Sequence, residues 1–207
     1  MFTDRRDAGR QLAERLAGPW RDPLVLGLAR GGVPVAAEVA AGLGAPLDVA
    51  VARKIGAPGQ PEWGIGAVTA DGPPVFDAAA SRLGLSSRQL TELCEEERAE
   101  AARRVELYED GRAPAPREGR DVIMVDDGLA TGVTAIAALR AARAESPRSL
   151  TFAAPVAAPD AVERVRREAD DVVCVDTPAG FTAVGRWYRD FGQTSDTEVV
   201  RLLRDTS

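Results

Sequence analysis

The chain has 207 residues, 45% of them hydrophobic and 28% charged, which suits one well-buried domain with a small appendage. Its 26 basic and 32 acidic residues give a net charge of −6, and the arginines are scattered along the sequence. This distribution disfavours binding to a nucleic-acid backbone, which needs a clustered basic surface. The sequence contains no histidine, which excludes imidazole metal sites, Ser-His-Asp triads and any histidine general base.

Membrane insertion and export are not expected. No apolar run approaches the roughly 20 residues that a membrane-spanning helix needs. The charged opening, Met1–Asp7, lacks the apolar core of a secretory signal, so we expect a cytoplasmic location. Cys94 and Cys174 have no metal-ligand spacing and no disulfide-rich context, and we expect both to be packing residues.

The predicted elements alternate between helices and strands along the chain. An amphipathic helix is predicted over Arg5–Ala17, because apolar residues recur there at helical spacing before Gly18-Pro19. Strands are predicted to start at Leu24, Leu47, Ile65, Asp121, Ser149 and Asp171. Further helices are predicted over Val35–Leu43, Ser87–Tyr108, Thr134–Ala144, Pro159–Ala169 and Thr197–Arg204. Apolar strands that alternate with helices indicate an α/β fold with a mainly parallel sheet.

Two stretches interrupt this alternation. Ile55–Pro74 is rich in glycine and proline, apart from the strand-like Ile65–Ala70, and predicts a long loop with its own short hairpin. The tail from Pro178 contains four aromatic residues, which are Phe181, Trp187, Tyr188 and Phe191.

The segment Val122–Thr134 carries the strongest functional signal. Two acids, Asp126 and Asp127, follow a buried strand, and a loop of small residues then opens a helix. Backbone N–H groups at this helix N-terminus, with the hydroxyls of Thr131 and Thr134, suit a phosphate. Carboxylates repel phosphate, so we expect the acids to bind hydroxyl groups or a magnesium ion. The alternative is that the acids only cap the helix, but their joint occurrence with Thr-Gly favours a sugar-phosphate site.

This pattern closely resembles the signature with which type I phosphoribosyltransferases bind 5-phosphoribosyl-1-pyrophosphate, PRPP. The resemblance rests on four apolar residues, two acids, a short spacer and Thr-Gly-x-Thr. It implies that Asp126 and Asp127 hydrogen-bond the ribose 2- and 3-hydroxyls. It also implies a phosphate loop formed by Gly128, Ala130, Thr131, Gly132, Val133 and Thr134.

Two further stretches resemble the same family. Leu28–Gly32 is similar to its pyrophosphate loop, which implies that Ala29, Arg30, Gly31 and Gly32 bind pyrophosphate and that the Ala29–Arg30 peptide is cis or otherwise strained. Arg53-Lys54 resembles the basic pair that adenine- and orotate-type members place beside the pyrophosphate. The alternative for Arg30 and Arg53 is solvated surface charge. By the same resemblance, Ile55–Pro74 corresponds to the mobile loop that closes over the reacting centre.

The resemblance extends from Asp4 to Phe191. Over this length the chain resembles a group of stand-alone bacterial phosphoribosyltransferases whose acceptor substrate is not defined. It implies a three-layer α/β/α fold with a mainly parallel six-stranded sheet, one strand of which is antiparallel. We expect a single domain over residues 1–207, with its core over about 20–177. We expect a small hood made from the N-terminus and about 178–193, and a C-terminal helix over about 197–204.

The implied function is a phosphoribosyl transfer from PRPP to a nucleobase-like nitrogen heterocycle with Mg²⁺-assisted release of pyrophosphate. Arg30, Lys54, Asp126 and Asp127 are the expected catalytic residues, and Mg²⁺ is expected to be carried by PRPP rather than by a dedicated set of protein ligands. Phe181 is a candidate for stacking on the acceptor, with an aromatic cluster as the alternative. The expected partners are PRPP and a small-molecule acceptor, and a homodimer is the assembly considered.

The identity of a general base stays open at this stage. Hypoxanthine-guanine members have an acid where this chain has Ala130, so a base would have to come from elsewhere, such as Glu62, or be unnecessary. The alternative function is a non-catalytic sensor of PRPP or nucleotides on the same fold. Retention of both Arg30-Gly31-Gly32 and Arg53-Lys54 favours the enzyme.

Overall fold

The computed structural model describes residues 1–205, without the side chains of Pro61, Glu62 and Ala79. The strands are β1 (Pro23–Leu28), β2 (Leu47–Ala50), β3 (Arg53–Ala57), β4 (Gln60–Val68), β5 (Val75–Phe76), β6 (Asp121–Val125), β7 (Ser149–Val156) and β8 (Asp171–Asp176). The helices are α1 (Arg5–Arg15), α2 (Gly32–Leu43), α3 (Ala78–Arg82), α4 (Ser87–Glu109), α5 (Val133–Ala144), α6 (Pro159–Val165) and α7 (Asp196–Asp205).

The main sheet has five parallel strands in the order β2-β1-β6-β7-β8. The chain runs from β1 through α2 to β2 on one side, and from β6 through α5 to β7 on the other. The boundary between β1 and β6 is therefore a topological switch point, and ligands of open α/β sheets bind beyond the carboxyl ends of the strands at such points.

Alternate residues of the central strands face opposite layers of helices. Leu24 and Leu26 of β1 belong to the core that α5 and α6 cover, whereas Val25 belongs to the core that α1, α2 and α7 cover. All three side chains are fully buried. The expected α/β/α layering is confirmed.

The expected sheet of six strands is corrected by a second, three-stranded antiparallel sheet in the order β3-β4-β5. The strand expected from Ile65 is part of β4, which is antiparallel to both of its neighbours, β3 and β5. It pairs with β3 because a tight turn at Pro58-Gly59, with Gly59 at φ +73°, folds the chain back on itself. β4 therefore makes its hydrogen bonds with nearby strands of the chain rather than with the main sheet. Much of the loop expected over Ile55–Pro74 is strand.

Some helix ends differ from expectation by a few residues. α1 ends at Arg15 rather than Ala17, with Leu16 as its C-terminal cap, shortly before Gly18, whose position ahead of proline disfavours the helical conformation. α4 begins where expected, since the Ser86 side chain accepts from the Gln89 N–H in a capping box. α6 ends at Val165 rather than Ala169, although the Ala169 N–H still bonds the Val165 carbonyl at 3.1 Å in a following turn.

The N-terminus and the tail pair with each other over the carboxyl edge of the main sheet. The Phe2 N–H donates to the Trp187 carbonyl at 2.7 Å, and the Arg189 N–H donates to the Phe2 carbonyl at 2.8 Å. The Tyr188 ring lies 5.4 Å from the ring of Phe2 and 4.9 Å from that of Phe191, centre to centre. We call residues 1–4 with 178–193 the hood.

The two cysteines pack as expected. Cys94 is buried between α4 and the antiparallel sheet, and Cys174 packs half-buried against the main core. Burial raises the pKa of the Cys174 thiol to about 11. Within residues 1–205, no helix is both long enough and apolar enough to cross a membrane.

Candidate active site

The segments that follow β1, β2 and β6 meet at one edge of the main sheet. The Ala29 N–H, just after β1, donates to the Ala50 carbonyl at the end of β2 at 2.9 Å. The Asp126 N–H, just after β6, donates to the Ala153 carbonyl of β7 at 3.1 Å. The segment Ala29–Gly32, which we call the glycine loop, and the acid pair Asp126 and Asp127 therefore lie together at the switch point.

The glycine loop fits directly against the acid pair. The Ala29–Arg30 peptide is cis, as expected. A Cβ atom at Gly31 would overlap the Asp127 carboxylate, and one at Gly32 would lie 2.5 Å from the Val125 carbonyl oxygen. Helix α2 begins at Gly32 without a side-chain cap, so backbone N–H groups of its first turn have no helical acceptor.

The loop that the resemblance assigns to phosphate leads into a second helix without a side-chain cap. Gly132, at φ +80°, is the N-terminal cap residue of α5 and offers no side-chain cap. The Ile136 N–H makes a bond to the Gly132 carbonyl at 2.8 Å, which leaves the N–H groups of residues 133–135 without helical acceptors. Two bonds join Leu129 to β7 and the residues after it, with lengths of 2.9 and 2.8 Å, and fix the loop. An uncapped helix N-terminus of this kind binds anions.

The acid pair is largely buried, and the pKa values of both carboxyl groups are shifted. Burial, and then the neighbouring Asp127 carboxylate, raise the pKa of Asp126 well above its ordinary value. The Asp126 side chain accepts the Asp127 N–H at 2.8 Å. Burial also raises the pKa of Asp127, although Arg5 acts in the opposite direction. Raised carboxyl pKa values are common at functional sites because such sites exclude water.

Arg5 joins the acid pair to the hood and was not singled out by the sequence analysis. Its Nε and Nη2 atoms each lie 2.8 Å from Oδ2 of Asp127, and its Nη1 donates to the Gly192 carbonyl at 2.6 Å. Its guanidinium carbon lies 4.0 Å from the centre of the Phe191 ring. Arg5 is a cation in the first turn of α1, where it opposes the helix dipole. This unfavourable position is the feature of the sequence that could have indicated a specific partner for Arg5.

The hood makes two further contacts with the acid segment. The Tyr188 hydroxyl donates to the Asp127 carbonyl at 2.6 Å. A Cβ atom at Gly128 would overlap the Val184 side chain, so the hood approaches the backbone closely here. The ribose site implied by the resemblance and the hood are thus in direct contact.

The expected cations are divided between different partners. Nη1 of Arg30 lies 3.7 Å from Oδ1 of Asp196, the first residue of α7. Nε of Arg53 lies 2.9 Å from Oε2 of Glu97 in α4. Lys54 follows Arg53 in a strand and points to the opposite face, where its side chain covers Gly64. No contact between Arg53 and the acid pair is found within the described residues, and its role at pyrophosphate stays a prediction.

Phe181 and Glu62 stay untested. Phe181 is half-buried against the hood cluster that contains Phe2 and Tyr188, which agrees with the aromatic-cluster alternative. The Glu62 side chain lies outside the described part of the structure. The part of the chain that the structure describes has no group of three or more side chains able to ligate a metal ion.

Comparison with known proteins agrees with this geometry. The family model for the phosphoribosyl transferase domain matches residues 5–188. A Mycobacterium tuberculosis protein provisionally named a phosphoribosyl transferase is 48% identical over 205 residues, 98% of this chain and 46% of that protein. The chain therefore spans about half the length of this curated relative. The crystal structure of TT1426 from Thermus thermophilus is 45% identical, with a TM-score of 0.83 and coverage of 100% of this chain and 99% of that chain. A uracil phosphoribosyltransferase of Legionella pneumophila is 41% identical over 61 residues, 30% of this chain and 28% of that protein.

Proposed function

Since this chain belongs to the phosphoribosyl transferase domain family, we propose that it transfers the 5-phosphoribosyl group of PRPP to a nitrogen heterocycle and releases pyrophosphate. The proposed acceptor class is nucleobase-like. A single domain, a homodimer and a cytoplasmic location stay predictions alongside it.

One observation carries the proposal: two helix N-termini without side-chain caps flank a largely buried acid pair at the switch point. PRPP has an anionic group at each end and two ribose hydroxyls between them. The N-terminus of α5 suits the 5-phosphate and that of α2, with Ala29–Gly32, suits the pyrophosphate. Asp126 and Asp127 lie between the two helices and suit the hydroxyls.

The reaction follows from this arrangement. The bond between ribose C1 and the pyrophosphate oxygen breaks, a bond between C1 and the acceptor nitrogen forms, and the proton of that nitrogen leaves to solvent or a base. The acid pair holds the ribose in place, and Arg30 and Lys54 balance the charge that develops on pyrophosphate. Closure of the hood over the acid pair excludes water from C1.

A magnesium ion fits the donor set only as a companion of PRPP. Mg²⁺ prefers one or two carboxylates together with substrate phosphates, and the acid pair offers that number of carboxylates. Asp127 is already bonded to Arg5, so Asp126 and the substrate's own oxygens are the expected ligands. When bound, Mg²⁺ supplies charge neutralisation for the departing pyrophosphate.

The second candidate is a sensor that binds PRPP without catalysis. The observation that favours it is the pairing of Arg30 with Asp196 and of Arg53 with Glu97, since a sensor does not need these cations for a departing group. Pyrophosphate release separates the two functions. An enzyme releases it with at least one member of a panel of nucleobases and related heterocycles that includes uracil, whereas a sensor releases none.

PRPP binding tests both candidates together. We expect Asp126→Asn to weaken PRPP binding by about ten- to a hundredfold in calorimetry with Mg²⁺, because a hydrogen bond to a charged group contributes about 1.5–3 kcal/mol. Asp171→Asn removes an exposed carboxylate at the amino end of β8 and serves as the matched control. A folded Asp126→Asn variant with unchanged PRPP affinity would falsify this assignment of the ribose site.

A further inference from the structure

A buried tyrosine and a carboxylate stand behind the loop that contains Arg30. Tyr108, near the end of α4, is fully buried, and its hydroxyl donates to Oδ1 of Asp196 at 2.5 Å. The same carboxylate oxygen lies 3.7 Å from Nη1 of Arg30. The contact therefore connects α4, the first residue of α7 and the loop before α2.

The tyrosine fixes the carboxylate. Tyr108 is held by the core between α4 and α7, so its hydroxyl has a defined position. Burial, and then the bond to Asp196, raise the pKa of Tyr108, so the hydroxyl stays protonated and remains a donor. A short bond from a protonated phenol to a carboxylate is strong and directional, and it orders the Asp196 side chain.

The carboxylate in turn restrains Arg30. Arginine loses side-chain rotamer freedom when it is ordered, so an ordered counter-charge lowers the cost of binding through it. The separation of 3.7 Å exceeds hydrogen-bond length, so the attraction orients the guanidinium without occupying its donors. Both side chains are 34% exposed, which leaves Arg30 open to a ligand.

We propose that Asp196, ordered by Tyr108, is a positioning residue that holds the Arg30 guanidinium ready for the pyrophosphate group. This inference rests on the proposed function, since it assumes that pyrophosphate binds beside Arg30. Asp196 itself does not contact the substrate in this proposal. It acts only through Arg30, and this distinguishes it from a contact that merely secures α7.

A matched control is available in the same interface. The Arg204 side chain of α7 pairs with Asp110 at the end of α4, so Asp110→Asn removes a carboxylate between the same two helices. That pair does not include Arg30. A loss that follows from looser packing of α7 should appear in both Asp110→Asn and Asp196→Asn.

The test measures calorimetric affinity for two probes, pyrophosphate with Mg²⁺ and ribose 5-phosphate. We expect Asp196→Asn to weaken pyrophosphate binding about tenfold and to leave ribose 5-phosphate binding unchanged. Tyr108→Phe should give a smaller loss for pyrophosphate alone, and Asp110→Asn should match the wild type. In an Arg30→Ala background, Asp196→Asn should cause no further loss, because residues that act as a unit are not additive.

Three results would overturn the inference. These are unchanged or tighter pyrophosphate binding in Asp196→Asn, an equal loss for both probes, and a loss that adds fully to that of Arg30→Ala. Thermal unfolding of each variant identifies a loss that comes from unfolding. A wild-type protein that binds neither PRPP nor pyrophosphate refutes the proposed function itself, whereas normal wild-type binding with any of the three results refutes only the role of Asp196.

Discussion

Replacing Arg5 by glutamine should destabilise the protein and loosen the hood from the acid pair. The guanidinium makes three N–H contacts of 2.6 to 2.8 Å to Asp127 and Gly192, and the Arg5 and Asp127 side chains are only 13% and 15% exposed. Removing one partner of a fully buried ion pair costs about 3–5 kcal/mol. Because this pair is partly exposed, we expect a loss of about 2–4 kcal/mol in the free energy of unfolding.

Urea denaturation measures this loss, and Arg6→Gln is the matched control because Arg6 is exposed in the same helical turn. Arg5→Lys should recover part of the stability, since lysine keeps the charge but not the planar fork. The Asp127 pKa should rise further without Arg5, so PRPP affinity should decline at a higher pH as the solution is acidified. Equal stabilities for Arg5→Gln and Arg6→Gln would refute the reasoning.

Two further predictions concern the glycine loop and the amino edge of the sheet. Gly31→Ala should reduce PRPP affinity more than tenfold, because its Cβ would displace the Asp127 carboxylate, whereas Gly180→Ala has open space around it and should bind normally in the same titration. Burial raises the pKa of Asp121, but Ser149, the Arg21 N–H and Arg148 together lower the pKa more strongly. The ionised form of Asp121 therefore stabilises the fold at neutral pH, and this contribution is lost as pH falls below about 4. Asp121→Asn should therefore unfold at a lower urea concentration than the wild type at pH 7, and its free energy of unfolding should fall less on acidification. An acid-induced loss of stability equal to that of the wild type would contradict this assignment.

The parallel sheet was predictable because its signal is local. Each of its five strands is a short apolar run, and both of its faces are covered by helices, so the apolar pattern is nearly continuous. The partner of β4 was not predictable in the same way. An apolar run does not identify the strand with which it pairs. The turn at Pro58-Gly59 folds β4 back onto β3, and this turn determines the pairing.

The predictability of the site depends in the same way on whether the interacting residues are neighbours in the sequence. The glycine loop and the acid segment are each contiguous, so their chemistry could be predicted from neighbouring residues. Both lie beyond the carboxyl ends of the strands, at the switch point. Arg5, Tyr108 and Asp196 could not be assigned, because their partners are far away in the chain. Arg5 is separated from Asp127 by 122 positions and Tyr108 from Asp196 by 88.

The contacts of Asp127 link the proposed ribose site to the hood. Its carboxylate is held by Arg5 and its carbonyl by Tyr188, and these residues come from opposite ends of the chain and meet through the paired Phe2 and Tyr188. Arg5 occupies Oδ2, which leaves Oδ1 as the oxygen able to accept a ribose hydroxyl without breaking the ion pair. A ligand that binds the Asp127 carboxylate changes the strength of its contact with Arg5. By thermodynamic linkage, a ligand that orders the hood changes the affinity of the proposed ribose site. Donor binding and acceptor binding should therefore be energetically coupled through Asp127, even though the acceptor need not touch that residue.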